Sequence, residues 1–498
     1  MKEKISRRTF LGTTAAATAS FTIVPSFAVS GLGHIAPSDI LRIAGIGVGG
    51  IGKRNLDKMA EDPSVRIVAL ADVDWHYPRK TFEKFSEAKK YKDFRKMFDE
   101  MSNDIDAVMI ATPDHTHAVA AYQAMALGKH VYCEKPLTHS VFESRILTLA
   151  AKKYGVATQM GNQGSSGEGI RQIQEWIWAG EIGDIKEAYA WTNRPIWPQG
   201  LQRPDNVDQV PDYLDWDLFL GPAPERPFNK VYHPWNWRAW WDFGTGALGD
   251  MACHIMEPIY KALLLGYPTH VEGSSTQVNT ESAPLAEIAS FIFPERKNVP
   301  AHVKIKLNEI KVTWYDGGLM PPRPAELKEG ELMGRDNNGG CLFIGTKGKI
   351  MCGCYGKDPF ILGRDGEPKV AKTLPRVQTD HWKDWIRAAK EDPKTRKITS
   401  SDFSVSGPFN EMVVMGTLAV RLQSLNRILK WDGNNMQFTN ISDSDVIKVV
   451  TTDKFEVIDG HPKFDTKFAT INAKEAAATY IQHTYRPGWQ FPKNVNEI

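Results

Sequence analysis

Residues 41–74 read LRIAGIGVGGIGKRNLDKMAEDPSVRIVALADVD, an apolar strand, a glycine cluster, a helix and a second apolar strand. In this order a G-x-G-x-x-G motif binds a dinucleotide, whose pyrophosphate lies at the N-terminus of the helix. We assign the motif to Gly47, Gly49 and Gly52, because a register starting at Gly45 would place the first glycine inside the strand. The stretch predicts a Rossmann-type sheet. The alternative is an empty glycine turn in another α/β protein.

The acidic residue at the end of the second strand indicates which dinucleotide is bound. Asp72 follows Gly52 by 20 residues, where a carboxylate holds both ribose hydroxyls and repels a 2′-phosphate. Asp74 adds a second negative charge. The sequence therefore predicts NAD as the cofactor and makes NADP the less favoured alternative.

Further strands and helices follow in DIDAVMIATPDHTHAVAAYQAMALGKHVYCEKP (104–136) and SVFESRILTLAAKKYG (140–155). Their alternation indicates a parallel sheet that binds its ligand at the carboxyl ends of the strands. The expected nucleotide contacts are Gly47, Gly49, Gly50, Ile51, Gly52, Asp72, Thr112, Pro113, His117, Glu134 and Lys135.

The stretches ATPDHTHA (111–118), CEKPLTHS (133–140) and GTGALGDMACH (244–254) extend this pattern. With them, residues 41 to about 425 resemble the glucose-fructose oxidoreductase, inositol dehydrogenase and rhizopine-catabolism family (Gfo/Idh/MocA). In that family the lysine of E-K-P and the acid and histidine of G-x-L-x-D-x-x-x-H form the catalytic set. The resemblance thus implies catalytic roles for Lys135, Asp250 and His254.

The chemistry of these side chains agrees with that implication. Asp250 and His254 are four residues apart on a predicted helix and so face the same way. A histidine beside a carboxylate takes a hydroxyl proton while hydride leaves the same carbon, and a nearby lysine polarises the oxygen. A surface pair or a buried structural network is the alternative. A metal site with Glu257 is a third, but the spacing lacks the two-histidine pattern of zinc hydrolases, and we predict no metal.

The segment after Gln159 is rich in tryptophan, and nine of the 15 tryptophans lie between Trp176 and Trp241. Prolines and glycines indicate loops, and rigid amphipathic rings on loops suit the apolar faces of sugars. Filling of a large core is the alternative, above all for Trp176 and Trp178, whereas Trp235, Trp237, Trp240 and Trp241 precede the catalytic motif. The expected substrate contacts are Asn162, Trp191, Trp237, Arg238 and Trp241.

Strand patterns joined by tight turns dominate the rest of this region, with helices near 381–390 and 410–425. The predicted fold class is α/β, with an N-terminal Rossmann doubly wound parallel sheet and a C-terminal α+β domain containing a large, mostly antiparallel open sheet. The predicted domains are 38–158 (nucleotide-binding), 159–430 (substrate and oligomerisation) and 431–498 (C-terminal extension). The resemblance implies a homo-oligomer, a dimer or a tetramer.

Residues 1–28 are expected to be a cleaved twin-arginine signal, because Arg7 and Arg8 of SRRTFLG precede a mildly apolar run. That run is too polar for stable membrane insertion, and a disordered tail is the alternative. Residues 1–28 carry four positive charges and one negative, so their removal lowers the formal net charge from +2 to −1 and implies no nucleic-acid partner. We therefore expect export by the Tat machinery to the periplasm and a tightly bound cofactor.

These observations predict an oxidoreductase that transfers hydride between a secondary hydroxyl of a sugar or glycoside, C3 being one candidate, and the bound nicotinamide. The second hypothesis is a redox-neutral NAD-dependent glycosidase or lyase acting through transient oxidation. Such enzymes carry a tyrosine-containing motif where this chain has LGDMACH. A non-catalytic sugar-binding protein is the third hypothesis.

Overall fold

The computed structural model describes residues 39–335 and 337–498, so the expected export signal lies outside the described residues. The described strands form a six-stranded sheet, a nine-stranded sheet and a two-stranded hairpin. None of the described helices has the length and apolar character needed to cross a membrane.

The first sheet is parallel throughout. Its strands are β1 (Leu41–Ile46), β2 (Val65–Ala71), β3 (Lys89–Tyr91), β4 (Ala107–Ile110), β5 (His130–Cys133) and β6 (Thr158–Met160). The helices between them are α1 (Gly50–Met59), α2 (Arg79–Lys84), α3 (Phe94–Met101), α4 (Asp114–Ala126) and α5 (Val141–Tyr154). The spatial order is β3-β2-β1-β4-β5-β6, which reverses between β1 and β4 and so opens a ligand crevice at their carboxyl ends. The predicted Rossmann sheet is confirmed.

Local sequence signals explain these elements. Strand β4 is buried at every position, as expected for a parallel strand covered on both faces. Helix α5 begins at a capping box, in which the Ser140 hydroxyl accepts from the Glu143 amide and the Glu143 side chain accepts from the Ser140 amide. It ends at Gly155, whose φ of 64° favours glycine.

The second sheet is mixed but mostly antiparallel, as predicted. Its strands are β7 (Ile185–Thr192), β8 (His270–Ser275), β9 (Glu287–Phe293), β10 (Ile310–Tyr315), β11 (Gly339–Gly345), β12 (Lys349–Gly353), β13 (Phe360–Ile361), β14 (Leu429–Asp432) and β15 (Gln437–Phe438). The accompanying helices are α6 (Glu168–Ala179), α7 (Trp216–Leu220), α8 (Gly246–Ile255), α9 (Glu257–Ala262), α10 (His381–Lys390) and α11 (Phe403–Arg421). The order is β13-β12-β11-β7-β10-β9-β8-β14-β15, with β7 and β10 paired in parallel.

Two helices of the later chain return to the first sheet. Helix α11 lies between the two sheets, and its buried Asn410 accepts from the Leu137 amide at 2.9 Å, which fixes the loop after Lys135. Helix α10 packs on α1, and Trp382 Nε1 donates to Asn55 Oδ1 at 2.9 Å. The loop that carries Lys135 is therefore held by residues some 275 positions downstream.

The C-terminal residues form a hairpin of β16 (Val446–Ile458) and β17 (His461–Asn472), helix α12 (Ala473–Ile481) and a tail, residues 482–498. Strand β15 places the end of the second sheet at Phe438, eight residues beyond the domain end expected from the sequence. The tail runs back across the first sheet's helices, where Phe491 contacts the rings of Tyr122 and Phe142.

Candidate active site

One cleft of 560 Å³ lies between the carboxyl ends of the first sheet and the second domain. Its first wall comes from loops that follow β1, β2, β3, β4 and β5. Its second wall comes from residues 194–197, residues 233–238, helix α8 and Tyr355. The cleft lies at the strand reversal, where this topology binds dinucleotides.

The glycine loop has the geometry that its motif requires. Gly47 has a φ of +73°, and a Cβ there would lie 2.7 Å from the backbone of Ala111. A Cβ on Gly52 would lie 2.0 Å from the Gly47 carbonyl oxygen, so this glycine lets α1 approach β1. Gly49, Gly50 and Ile51 line the cleft at the start of α1, and Gly49 has no side chain to cap it. The loop fits a pyrophosphate.

Asp72 and Asp74 differ in their position relative to the cleft and in their contacts. Asp72 lines the cleft and accepts from the amides of Val48 at 2.8 Å and Asp74 at 3.0 Å. Burial raises the pKa of Asp72 to about 6, so it is ionised at pH 7. Asp74 is buried, and its Oδ2 lies 2.7 Å from Nε2 of His233, which belongs to the opposite wall. Asp72 is therefore the carboxylate that faces the cleft.

The predicted catalytic residues meet at the far end of the cleft. Lys135 Nζ donates to Asp250 Oδ1 at 2.7 Å and to the Asp250 carbonyl at 3.0 Å. Arg238 Nε donates to the same carboxylate oxygen at 3.2 Å. Burial opposes ionisation of Asp250, but the charges of Lys135 and Arg238 outweigh it and hold the pKa of Asp250 below its usual range. Burial also works against the Lys135 cation, yet the Asp250 charge leaves the pKa of Lys135 raised.

His254 lines the cleft one helical turn beyond Asp250. Burial, and then the positive charge of Lys135, lowers the pKa of His254 well below its usual value, so the ring is neutral at pH 7. Its Nδ1 has no hydrogen-bond partner among the described residues. The helical spacing predicted direct contact between Asp250 and His254. In the structure the Asp250 carboxylate instead contacts Lys135 and Arg238, and its negative charge acts on the pKa of His254 from a distance. Glu257, the third residue of the alternative metal set, pairs with Lys261 at 2.8 Å.

Several predicted contacts line the cleft. They are Gly47, Gly49, Gly50, Ile51, Asp72, Thr112, Pro113, Glu134, Lys135, Trp237, Arg238, Asp250 and His254. Glu134 is held by Asn55, whose Nδ2 donates to its Oε1 at 2.9 Å. Gly52 lies behind the loop, for the packing reason given above.

Four other predicted contacts do not reach the cleft. The ring nitrogens of His117 lie 2.9 Å from the Pro136 carbonyl oxygen and 2.8 Å from that of Thr112, so His117 supports the strand ends from behind. Asn162 accepts from the Ser401 hydroxyl at 2.5 Å and is fully buried. Trp191 packs in a separate core cluster, and Trp241 donates to the Asn279 carbonyl at 3.3 Å. In the described chain these four side chains lie outside the cleft lining.

The second wall contains residues that the sequence interpretation missed as contacts. Trp197 and Trp235 line the cleft beside Arg238, whose guanidinium lies 4.4 Å from the Trp235 ring centre. Tyr355 follows β12, has a φ of 66°, and places its ring 4.5 Å from that of His254. Trp197 belongs to the tryptophan-rich stretch, which gave a signal, whereas no motif marks Tyr355.

Models of known protein families match two segments of the chain that supply residues to these two walls. The family model described as "Oxidoreductase family, NAD-binding Rossmann fold" (GFO_IDH_MocA) matches residues 41–162. The model described as "Oxidoreductase family, C-terminal alpha/beta domain" (GFO_IDH_MocA_C2) matches residues 184–284. The matched segments thus contain Lys135, Asp250 and His254.

Curated relatives include the inositol 2-dehydrogenase of Salmonella typhimurium, 29% identical over 171 residues, which cover 34% of this chain and 47% of that protein. The levoglucosan dehydrogenase of Pseudarthrobacter phenanthrenivorans is 26% identical over 188 residues, which cover 38% and 40%. The chain spans less than half the length of either relative.

A solved structure described as "Levoglucosan dehydrogenase, complex with NADH and levoglucosan" has a TM-score of 0.50 and 18% identity, covering 77% of this chain and 98% of that one. This likeness supports the fold. The family assignment rests on the two matched segments, which place residues 41–162 and 184–284 in the Gfo/Idh/MocA oxidoreductase family.

Proposed function

We propose that this protein is a dehydrogenase that transfers hydride between a secondary hydroxyl of a sugar or glycoside and a tightly bound NAD. The observation that carries the proposal is the group of Lys135, Asp250 and neutral His254, which lies where the nucleotide crevice meets a tryptophan-lined wall. The C3 hydroxyl of a hexose is the first position to examine.

The first wall suits NAD. The glycine loop would hold the pyrophosphate, and Asp72 would accept hydrogen bonds from the ribose hydroxyls. An ionised Asp72 repels the 2′-phosphate of NADP, which supports the preference for NAD. When bound, the nicotinamide supplies a hydride acceptor.

The residues beside it supply proton transfer. Neutral His254 accepts the proton of the substrate hydroxyl, and the charge of Asp250 favours the imidazolium that forms. Lys135 is held by Asp250 and donates a hydrogen bond to the same substrate oxygen, which stabilises its developing negative charge. Asp250 therefore positions Lys135 and Arg238.

The second wall suits a sugar ring. Trp235 exposes its ring in this wall, the largely buried Trp197 and Trp237 also line it, and Arg238 provides donors there. The named relatives support this substrate class, because inositol and levoglucosan both carry secondary ring hydroxyls.

The test is product analysis. Hexoses, disaccharides, aryl glycosides and cyclitols are incubated with the protein while nicotinamide absorbance is followed, and products are identified by mass. We expect a glycoside product two mass units lighter with its glycosidic bond intact. Bond cleavage without net redox change would establish the glycosidase or lyase instead. The position of Tyr355 beside His254 keeps that second reaction worth testing. Reaction with small aldehydes alone would overturn the carbohydrate proposal.

We further infer that the protein works in the periplasm with a retained cofactor, on the basis of Arg7 and Arg8 in the expected signal. The periplasm is not expected to hold a nicotinamide pool, so retention calls for a nanomolar Kd or lower. Cell fractionation of the wild type and of a variant with both arginines replaced by lysine tests export. A nucleotide-free periplasmic preparation that needs added NAD would contradict retention.

A further inference from the structure

We propose that the C-terminal tail forms the adenine-binding end of the cleft, with Trp489 as the residue that stacks on the base. The proposal rests on the dinucleotide part of the proposed function and is independent of the sugar chemistry. Trp489 lines the same cleft as Lys135, although the other lining residues come from Ile46 through Tyr355. The tail therefore adds one residue to a site that is otherwise complete by position 355.

The topology identifies the end at which Trp489 lies. Lys135 follows β5 on one side of β1, whereas Asp72 follows β2 on the other side. A dinucleotide with its reactive ring near Lys135 and a ribose on Asp72 extends its adenine past β2 toward β3. The residues after β3 that line the cleft are Lys92, Asp93 and Phe94. Trp489 contacts this loop, so it lies at the adenine end.

The indole of Trp489 is held in place by side chains of the loop after β3. The Arg95 guanidinium lies 4.2 Å from its ring centre, and the Phe94 ring lies 6.0 Å from it. Arg95 donates to both carboxylate oxygens of Asp93 and to the carbonyl of Gly488 at 3.2 Å. The loop after β3 and the tail are thus joined at the point where Trp489 meets the cleft.

Anchors on both sheet domains hold the tail beside Trp489. Tyr485 donates to Glu143 of α5. Arg486 Nη1 donates to Asp217 of α7 at 2.6 Å, and its Nε donates to the Gly221 carbonyl at 3.1 Å. Beyond Trp489, Phe491 packs against Tyr122 at a ring distance of 5.5 Å. A segment fixed on both sides holds the indole without a large loss of entropy when the base binds.

This arrangement predicts slow release of the cofactor. Stacking of a base on an aromatic side chain strengthens binding on the order of 10-fold or more. The adenine must lose this contact before the dinucleotide leaves, so the tail retains the cofactor at the end remote from the chemistry. Such retention is what an enzyme without a surrounding nicotinamide pool requires.

The experiment measures nucleotide release from the purified protein. Bound NADH is displaced by excess ADP-ribose, and the loss of its bound-state fluorescence gives the dissociation rate. We expect Trp489→Ala to raise this rate about 10-fold or more, and Trp489→Phe to stay within about threefold of the wild type because the aromatic face remains. Phe464→Ala is the aromatic control, since Phe464 is exposed on the C-terminal hairpin and lies outside the cleft lining.

A second variant tests the anchoring. Arg486→Ala removes the tie to Asp217 without touching the cleft lining, and it should accelerate release less than Trp489→Ala does. Nicotinamide mononucleotide, which lacks adenosine, should bind the wild type and Trp489→Ala equally. Equal NADH release from the wild type and Trp489→Ala would overturn the proposal, as would equal acceleration by Phe464→Ala. These measurements use no sugar, so failure of the substrate assignment leaves their outcome unchanged.

Discussion

The two walls of the cleft differ in how their residues are distributed along the sequence. The first-sheet wall comes from short loops, each directly after a strand, at residues 47–51, 72, 112–113 and 134–135. The opposite wall collects residues 194–197, 233–238, 250–254 and 355 from a loop-rich domain. A local motif places the first set, because the parallel sheet brings successive strand ends to one edge. Tertiary packing brings the second set together, and within it only residues 250–254 belong to a sequence motif.

The largest expected effect concerns the end of the cleft where the two walls meet. Lys135→Ala and His254→Ala should each lower kcat by about 10²-fold or more, because their roles act in the transition state. Bound nucleotide, measured after denaturation, should remain near stoichiometric in His254→Ala. His461→Ala, on the exposed hairpin, is the histidine control. Near-normal turnover in both alanine variants would remove these residues from the chemistry.

Asp250 tests whether one carboxylate organises both walls, since it holds Lys135 from the first and Arg238 from the second. Asp250→Asn should lower kcat and, by removing the charge that raises the pKa of Lys135, move the alkaline limb of the pH–kcat profile to lower pH. Asp250→Ala should also reduce the free energy of unfolding by about 3–5 kcal/mol, because it leaves buried cations unpaired. An unchanged profile and thermal midpoint would show that the ion pairs are dispensable.

Two tryptophans of the second domain, one in the cleft wall and one in the core, should respond differently to truncation. Trp235→Ala should raise KM for the sugar about 10-fold while the thermal midpoint stays near that of the wild type, since Trp235 lines the cleft and is about half exposed. Trp191→Ala should lower the free energy of unfolding by about 3–5 kcal/mol, because Trp191 fills a core cluster. Steady-state kinetics and thermal melts on both variants distinguish the roles. A KM effect confined to Trp191→Ala would reverse the assignment.

The smallest expected effect concerns the first wall alone. The pKa of Asp72 is raised to about 6, so the carboxylate is present above that pH and is protonated below it. Affinity for NAD should therefore fall severalfold between pH 7 and pH 5, as measured by calorimetry, because the protonated acid accepts ribose hydrogen bonds less well. Asp72→Asn should remove this dependence and improve NADP binding. A flat pH response in the wild type would exclude ribose contact by an ionised Asp72.

Sequence reasoning succeeded where local geometry dictates position. The glycine motif, Asp72 and the strand alternation indicated the first sheet, and the family motifs brought Lys135, Asp250 and His254 to one end of the cleft. Trp176 and Trp178 are buried, as their helical spacing suggested. These features depend on neighbours along the chain.

The tryptophan-rich stretch shows why the residues of the second wall were harder to predict from the sequence. Trp237 and Trp240 share one core cluster, yet only Trp237 also lines the cleft, and Trp241 is buried outside the cleft lining. Trp191 lies on a central strand of the second sheet, buried in a core cluster away from the cleft. Tyr355 and Trp489 reach the site through contacts with residues that are remote in sequence.

The bond between Asp74 and His233 joins the two walls of the cleft, with a consequence for how tightly ligands bind in each. Asp74 shares a turn with Asp72 through its amide, and His233 is two residues before Trp235. A nucleotide held at Asp72 would therefore also restrain the loop that carries Trp235. Coupling of this kind would be reciprocal, so a ligand bound at Trp235 would strengthen nucleotide binding by the same factor. The turn after β2 would then link occupancy of one site to affinity at the other.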